Sequence, residues 1–188
     1  MSFMRFLGAR PNERPTDLGV APPDSMAETE AVRRIVARLE AMPADQARLL
    51  AGMAYVLARA AYADLEISDA ETSEMEQELT GSGLDQSQAV LVVEMAKLQE
   101  KTAGGTSDYL VTREFRELSS SEQRLMVLRA CYRVCAADNA ISGMESATLD
   151  EIASELDIPH EDAAAVRAEF ADRITARLGF GSFSNPGS

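Results

Sequence analysis

The stretch ADNAISGMES, residues 137–146, repeats the pattern of ADLEISDAET, residues 63–72, at a distance of 74 positions. Both read Ala-Asp-x-x-Ile-Ser-x-x-Glu, and both follow a run of apolar and small residues. The repeat extends outward. Val56 to Asp64 falls on Ala130 to Asp138, Met75 on Leu149 and Leu84 on Ile158, so that helix, loop and helix match as one unit. Two such units predict a helical fold with internal pseudo-symmetry.

Composition agrees with that prediction. The chain has 188 residues, enough for one domain with a substantial core, and is 46% hydrophobic and 26% charged. Aromatics make up only 5% and Trp is absent. Ala, Leu, Glu, Arg and Met prevail over the β-branched and aromatic residues that favour strands, so the expected class is all-α.

Apolar spacing places about eight helices. Val32, Ile35, Val36 and Leu39 mark one over about 25 to 41, with Asp24 or Ser25 as its N-cap. Pro43 introduces a central helix reaching about Ala63, and further helices are expected over about 68–80, 85–102 and from 107. The next is opened by Ser119 with Glu122, another spans about 143–156, and the last runs from Pro159 to about Leu178. The expected organisation is an N-terminal arm (1–24), an additional helix (25–42), a helical domain (43–178) and a tail (179–188). The arm begins MSFMRFLGAR, apolar and basic with no acid.

Charge narrows the function classes. A net charge of -13 opposes sequence-independent nucleic-acid binding, which needs clustered Lys and Arg to displace counterions. Between Asp64 and Glu100 stand ten acidic residues and one base, Lys97, which favours a cation or a basic protein partner. No apolar run is long enough to span a bilayer and no secretory h-region opens the chain, so the expectation is a cytoplasmic protein. Cys131 and Cys135, four apart on a predicted helix, are expected to be buried reduced thiols.

Within each motif, Ser68 with Glu71 and Ser142 with Glu145 have capping-box spacing, in which hydroxyl and carboxylate each reach the other residue's amide. Ile67 and Ile141 anchor the loops. Asp64 and Asp138 are the unexplained pair, since a carboxylate at a helix C-terminus meets the negative end of the helix dipole. Either an Asx-turn to the loop amides or a bound cation compensates. The loops are not EF-hands: counting each Asp as position 1 puts Met75 and Leu149 where the bidentate Glu belongs. A cation site would draw on Asp64, Glu71, Asp138 and Glu145. Glu71, Glu74 and Glu78 form a stripe expected to be a solvated face.

Catalysis is not expected. The chain has one histidine, His160, at a predicted helix start, and no phosphate loop, Cys or His metal spacing or nucleophile motif.

The two motifs, AAYADLEISDAETSEM and VCAADNAISGMESATLDEIASELDI, resemble the tellurite-resistance protein B (TerB-like) family, including the version found ahead of the J-domain in a membrane-anchored co-chaperone. The likeness covers about residues 43–172. It implies an all-helical fold, a divalent-metal site (calcium, magnesium or manganese) at Asp64, Glu71, Asp138 and Glu145, and a non-catalytic role in a bacterial stress or tellurite-resistance system at membrane-associated complexes, peripheral to the inner membrane. The family's Asp-Gly is Asp64-Leu65 and Asp138-Asn139 here, and Leu does not readily adopt a left-handed backbone. The alternative function is an acidic interaction adaptor, membrane-complex associated, with no metal site.

Overall fold

The structure, a computed structural model, describes residues 23–103 and 106–174. Among the described residues eight α-helices follow one another: α1 Pro23–Glu40, α2 Ala44–Ala61, α3 Asp69–Gly81, α4 Gln86–Ala103, α5 Thr106–Leu118, α6 Ser121–Cys135, α7 Gly143–Glu155 and α8 His160–Glu169. A 3-10 turn, Tyr62–Asp64, extends α2. Among the described residues the extended pairing is a single parallel bridge, Ile141 to Ile174. The fold is all-α, as expected.

Helix α2 is central because thirteen of its residues, from Ala47 to Ala61, are buried on all sides rather than along one stripe. It packs on α3, α4, α5, α6 and α7. Small residues make this possible. A Cβ at Gly52 would lie 3.0 Å from the Phe115 ring, so only glycine lets α5 come this close without a shift. The largest fully buried side chains, among them Tyr55, Leu57, Met75, Phe115, Leu128, Ile141 and Leu149, come from both halves, which therefore share one core.

The two units superpose in kind. In each, an enclosed helix (α2, α6) leads through an acidic loop to a thirteen-residue helix (α3, α7), which ends in a left-handed residue, Gly83 or Asp157. Backbone bonds from Leu84 to Leu79 and from Ile158 to Ala153 close the two helix ends alike. They then diverge. Helix α4 continues for 18 residues, whereas α8 stops after 10 at Phe170, whose ring stacks on Tyr132 at 5.3 Å. The chain turns there and reaches Ile141 through Arg173 and Ile174.

Several expectations need correction. Helix α1 opens at Pro23, ahead of the expected cap. The cap of α6 is Ser120 with Gln123, one residue later than expected, because the backbone turns extended at Ser120. The last helix ends at Glu169, with turns to Arg173, and residues 175–178 of its expected span lie outside the described residues. So do the expected arm up to residue 22 and the tail 179–188. Cys131 and Cys135 are free and buried, and burial raises both thiols, Cys131 to about 12. Among the described residues no helix is long and apolar enough to cross a membrane.

Candidate functional site

Both loops start from α-helical C-termini and must turn sharply to feed the next helix. They do so identically. Leu65 and Asn139 adopt left-handed backbone, φ 72° and 79°, and their amides donate to Tyr62 and Ala136 carbonyls. The next step is an Asx-turn. Asp64 Oδ1 accepts from the Glu66 amide at 3.2 Å, and Asp138 Oδ1 from the Ala140 amide at 3.1 Å. Of the two ways offered above to compensate these carboxylates, the structure contains the turn. Both aspartates remain exposed.

The capping boxes are complete in both copies. Ser68 and Ser142 amides donate to Glu71 and Glu145 Oε2 at 2.7 Å, while the Glu71 and Glu145 amides donate to the serine hydroxyls at 3.1 Å. These hydrogen bonds stabilise the ionised carboxylates, yet burial outweighs them. Glu71 and Glu145 are only 6% and 5% exposed. Desolvation is the main cause that lifts Glu71 to about 7, with Glu145 and Asp64 adding like-charge repulsion. Glu145 is raised for the same main reason, with Asp64 again repelling it. The thiol of Cys135 lies close to Glu145, and that carboxylate pushes the already buried thiol further up.

So the halves of the repeat meet here. Glu71 of one and Glu145 of the other are near enough to repel each other and to act on Cys135, with Asp64 near both, since the 3-10 turn rests on α7. Asp138 is not among the leading influences on either glutamate. Among the described residues no three Asp, Glu, His or Cys side chains are arranged as the ligands of a metal ion. Of the four carboxylates expected to hold a cation, Glu71 and Glu145 are thus engaged as helix caps and Asp64 and Asp138 as Asx-turns.

The surface around this pair is acidic and partly apolar. Asp64, Glu66, Asp69 and Asp138 are exposed, and so are Leu65 (75%) and Met144 (57%) at the starts of loop 1 and α7. The expected stripe differs from a solvated face: Glu71 is buried, and Glu74 and Glu78 pair with Arg133 of α6. Sequence reasoning missed Cys135 beside Glu145, although its place three residues before Asp138 put it on the same helix end. It also missed Arg59, buried in α2, which reaches Glu155 at 2.6 Å and Thr112 at 3.2 Å. Its signal was visible, one base within a long apolar run.

The family model of tellurite resistance protein TerB matches residues 50–168, more than half of the chain. The chain belongs to the TerB family. Its match starts within α2 and ends within α8, so it contains both capped loops and omits α1. No curated protein and no solved structure matches the chain. Glu71 and Glu145 both lie within the matched span and are buried there, while Asp64, Glu66, Asp69 and Asp138 are exposed in it.

Proposed function

We propose that this TerB-family chain is a non-catalytic interaction module of a stress or tellurite-resistance system, presenting its loop end to a basic protein partner. One observation carries this reading. The buried glutamates of the two motifs serve as helix caps, while four exposed carboxylates, Asp64, Glu66, Asp69 and Asp138, stand beside exposed Leu65 and Met144. Acidic rim and apolar contact together suit a partner with basic residues around an apolar anchor. Membrane-associated complexes are a natural setting, because the module itself then needs no lipid contact. The test is affinity capture with the wild type and with Leu65→Ser, Glu66→Lys. A partner lost from the variant and retained in EDTA supports the reading; one retained by the variant removes it.

A second reading, a cation-responsive module, is favoured by the Glu71–Glu145 pair, whose like charges are further repelled by Asp64. A divalent ion drawn to Asp64, Glu71 and Glu145 would relieve that repulsion and release a proton. Millimolar calcium, magnesium or manganese should then raise Tm, with the rise lost in Asp64→Asn. An unchanged Tm with all three ions eliminates this reading.

A further inference from the structure

The two halves differ in what lies over the start of their first helix. In the first half, α1 packs on α2 and α4, burying Leu39 completely and pairing Arg38 with Asp85 at 2.9 Å. At the start of α2 and of the α3–α4 turn of this half, Leu50, Ala51 and Leu84 are 3%, 0% and 3% exposed. The corresponding positions of the second half, 74 residues on, are Arg124, Leu125 and Ile158. None of these is fully buried. Among the described residues no helix covers them, and they line a cleft of about 410 Å³ between α6 and α8.

The chemistry of that cleft is specific. Its floor is Leu125, Ile158 and Pro159, and its rim carries Glu122, Asp157 and Asp162. Arg124 also lines it, but its guanidinium is committed to the Leu156 carbonyl at 2.8 Å and the Ser121 hydroxyl at 3.0 Å. Three exposed carboxylates are therefore left facing outward around an apolar floor. A second cavity, of about 450 Å³, shares Ile158 with the cleft and is lined by alanines together with Asp150, Ser154, His160 and Arg167, so the apolar floor ends there.

We infer that this cleft docks an amphipathic helix of a partner protein, with a Leu or Ile anchor and a Lys or Arg beside it. The first half shows the geometry: α1 supplies adjacent Arg38 and Leu39, the leucine to the core and the arginine to an acid. The second half offers an apolar floor of Leu125, Ile158 and Pro159 under three carboxylates, so charge complementarity selects a more basic helix than α1. This site lies at the opposite end of α6 from the second loop, on the order of 20 Å away for a helix of that length. It is independent of the loop-end surface proposed above.

The probe is a fluorescein-labelled, end-capped peptide of residues 23–42 carrying Glu28→Lys and Glu30→Lys, which makes it more basic than α1 while keeping Arg38 and Leu39, titrated into the full chain by anisotropy. Expected is saturable binding whose Kd rises at least fivefold in Leu125→Glu and in Asp162→Lys, and rises with NaCl. A photo-cross-linking version of the peptide should mark residues 122–162. Absence of binding, or binding unchanged in both variants, overturns the inference. Cross-links near Asp85 would mean exchange with the chain's own α1 and also overturn it. So would a dimer in sedimentation that Leu125→Glu dissociates, because the occupant would then be a second copy. Asp162 is exposed, so its variant tests the cleft even if Leu125→Glu fails to fold.

Discussion

Loop 1 and loop 2 carry the same caps, the same Asx-turns and a left-handed residue at the same place, yet among the described residues only the Ile-Ser segment of loop 2 is hydrogen-bonded to a distant part of the chain. The Ile141 amide donates to the Arg173 carbonyl at 2.8 Å, Arg173 Nη1 donates to Asn139 Oδ1 at 3.2 Å, and Ile141 is fully buried. Among the described residues nothing hydrogen-bonds the Ile67 amide, and Ile67 is half-buried. Local chemistry written twice thus yields one loop fixed by tertiary contacts and one held by its own turns. The less constrained loop also carries more charge, with Asp64, Glu66 and Asp69 where loop 2 has Asp138 alone.

The largest expected effects come from the two isoleucines. Ile141→Ala should cost about 2–5 kcal/mol, the range for truncating a fully buried side chain, whereas Ile67→Ala should cost roughly half of that. Urea denaturation of both variants checks the contrast. Equal losses would mean that loop 1 is packed as firmly as loop 2.

The buried acid pair, common to both loops, is the next target. Glu71 is raised to about 7 from 4.5, so the folded state binds a proton more tightly than the unfolded chain. Stability is then fully present below pH 4.5, declines as pH rises toward 7 and is flat above it. Glu71→Gln should remove that decline, and Gln can still cap, as Gln123 does for Ser120 at 2.8 Å. The expected gain is on the order of 3 kcal/mol at pH 8, vanishing below pH 4.5, measured as Tm against pH. The Glu145→Gln gain should add to it incompletely, since each substitution removes its own desolvation cost but either one removes the repulsion between the two. A gain that appears only at low pH would refute the assignment.

Ser68→Ala and Ser142→Ala should each cost about 1 kcal/mol, and by similar amounts, because their capping distances agree in the two copies. A much smaller loss at Ser68 would show that loop 1 frays before its cap contributes. Thermal unfolding of the pair of variants decides it.

These local devices are what a sequence displays well. Ser68–Glu71 and Ser142–Glu145 were legible because capping depends on residues three apart, and the all-α class followed from periodicity and composition. What was not legible depends on contacts across the repeat. The cap glutamates look like surface residues until α2 and α6 bring Glu71 and Glu145 together, and Cys135 becomes their neighbour only then. The acid stripe changes character for the same reason, since Arg133 is 55 residues from Glu78. The end of α8 was missed because Phe170 leaves the helix to stack on Tyr132, a tertiary contact that overrides a continuing helical pattern.

The smallest expected effect tests the position where the sequence predicted difficulty. Leu65 at φ 72° brings Cβ close to the following carbonyl, a cost of roughly 1–2 kcal/mol for an ordinary residue, and its side chain is 75% exposed, so little packing offsets that cost. Asn tolerates this backbone better and already occupies the matching position 139. Leu65→Asn should therefore stabilise the fold by about 0.5–1 kcal/mol. The reciprocal Asn139→Leu should lose at least as much, since it both introduces the strain and removes the Arg173 hydrogen bond. Opposite signs from the two substitutions, read from urea midpoints at constant m-value, would establish that the loops share one backbone. If both destabilise, the exposed Leu65 side chain makes a contact that its position does not reveal, and the equivalence of the two turns fails at that residue.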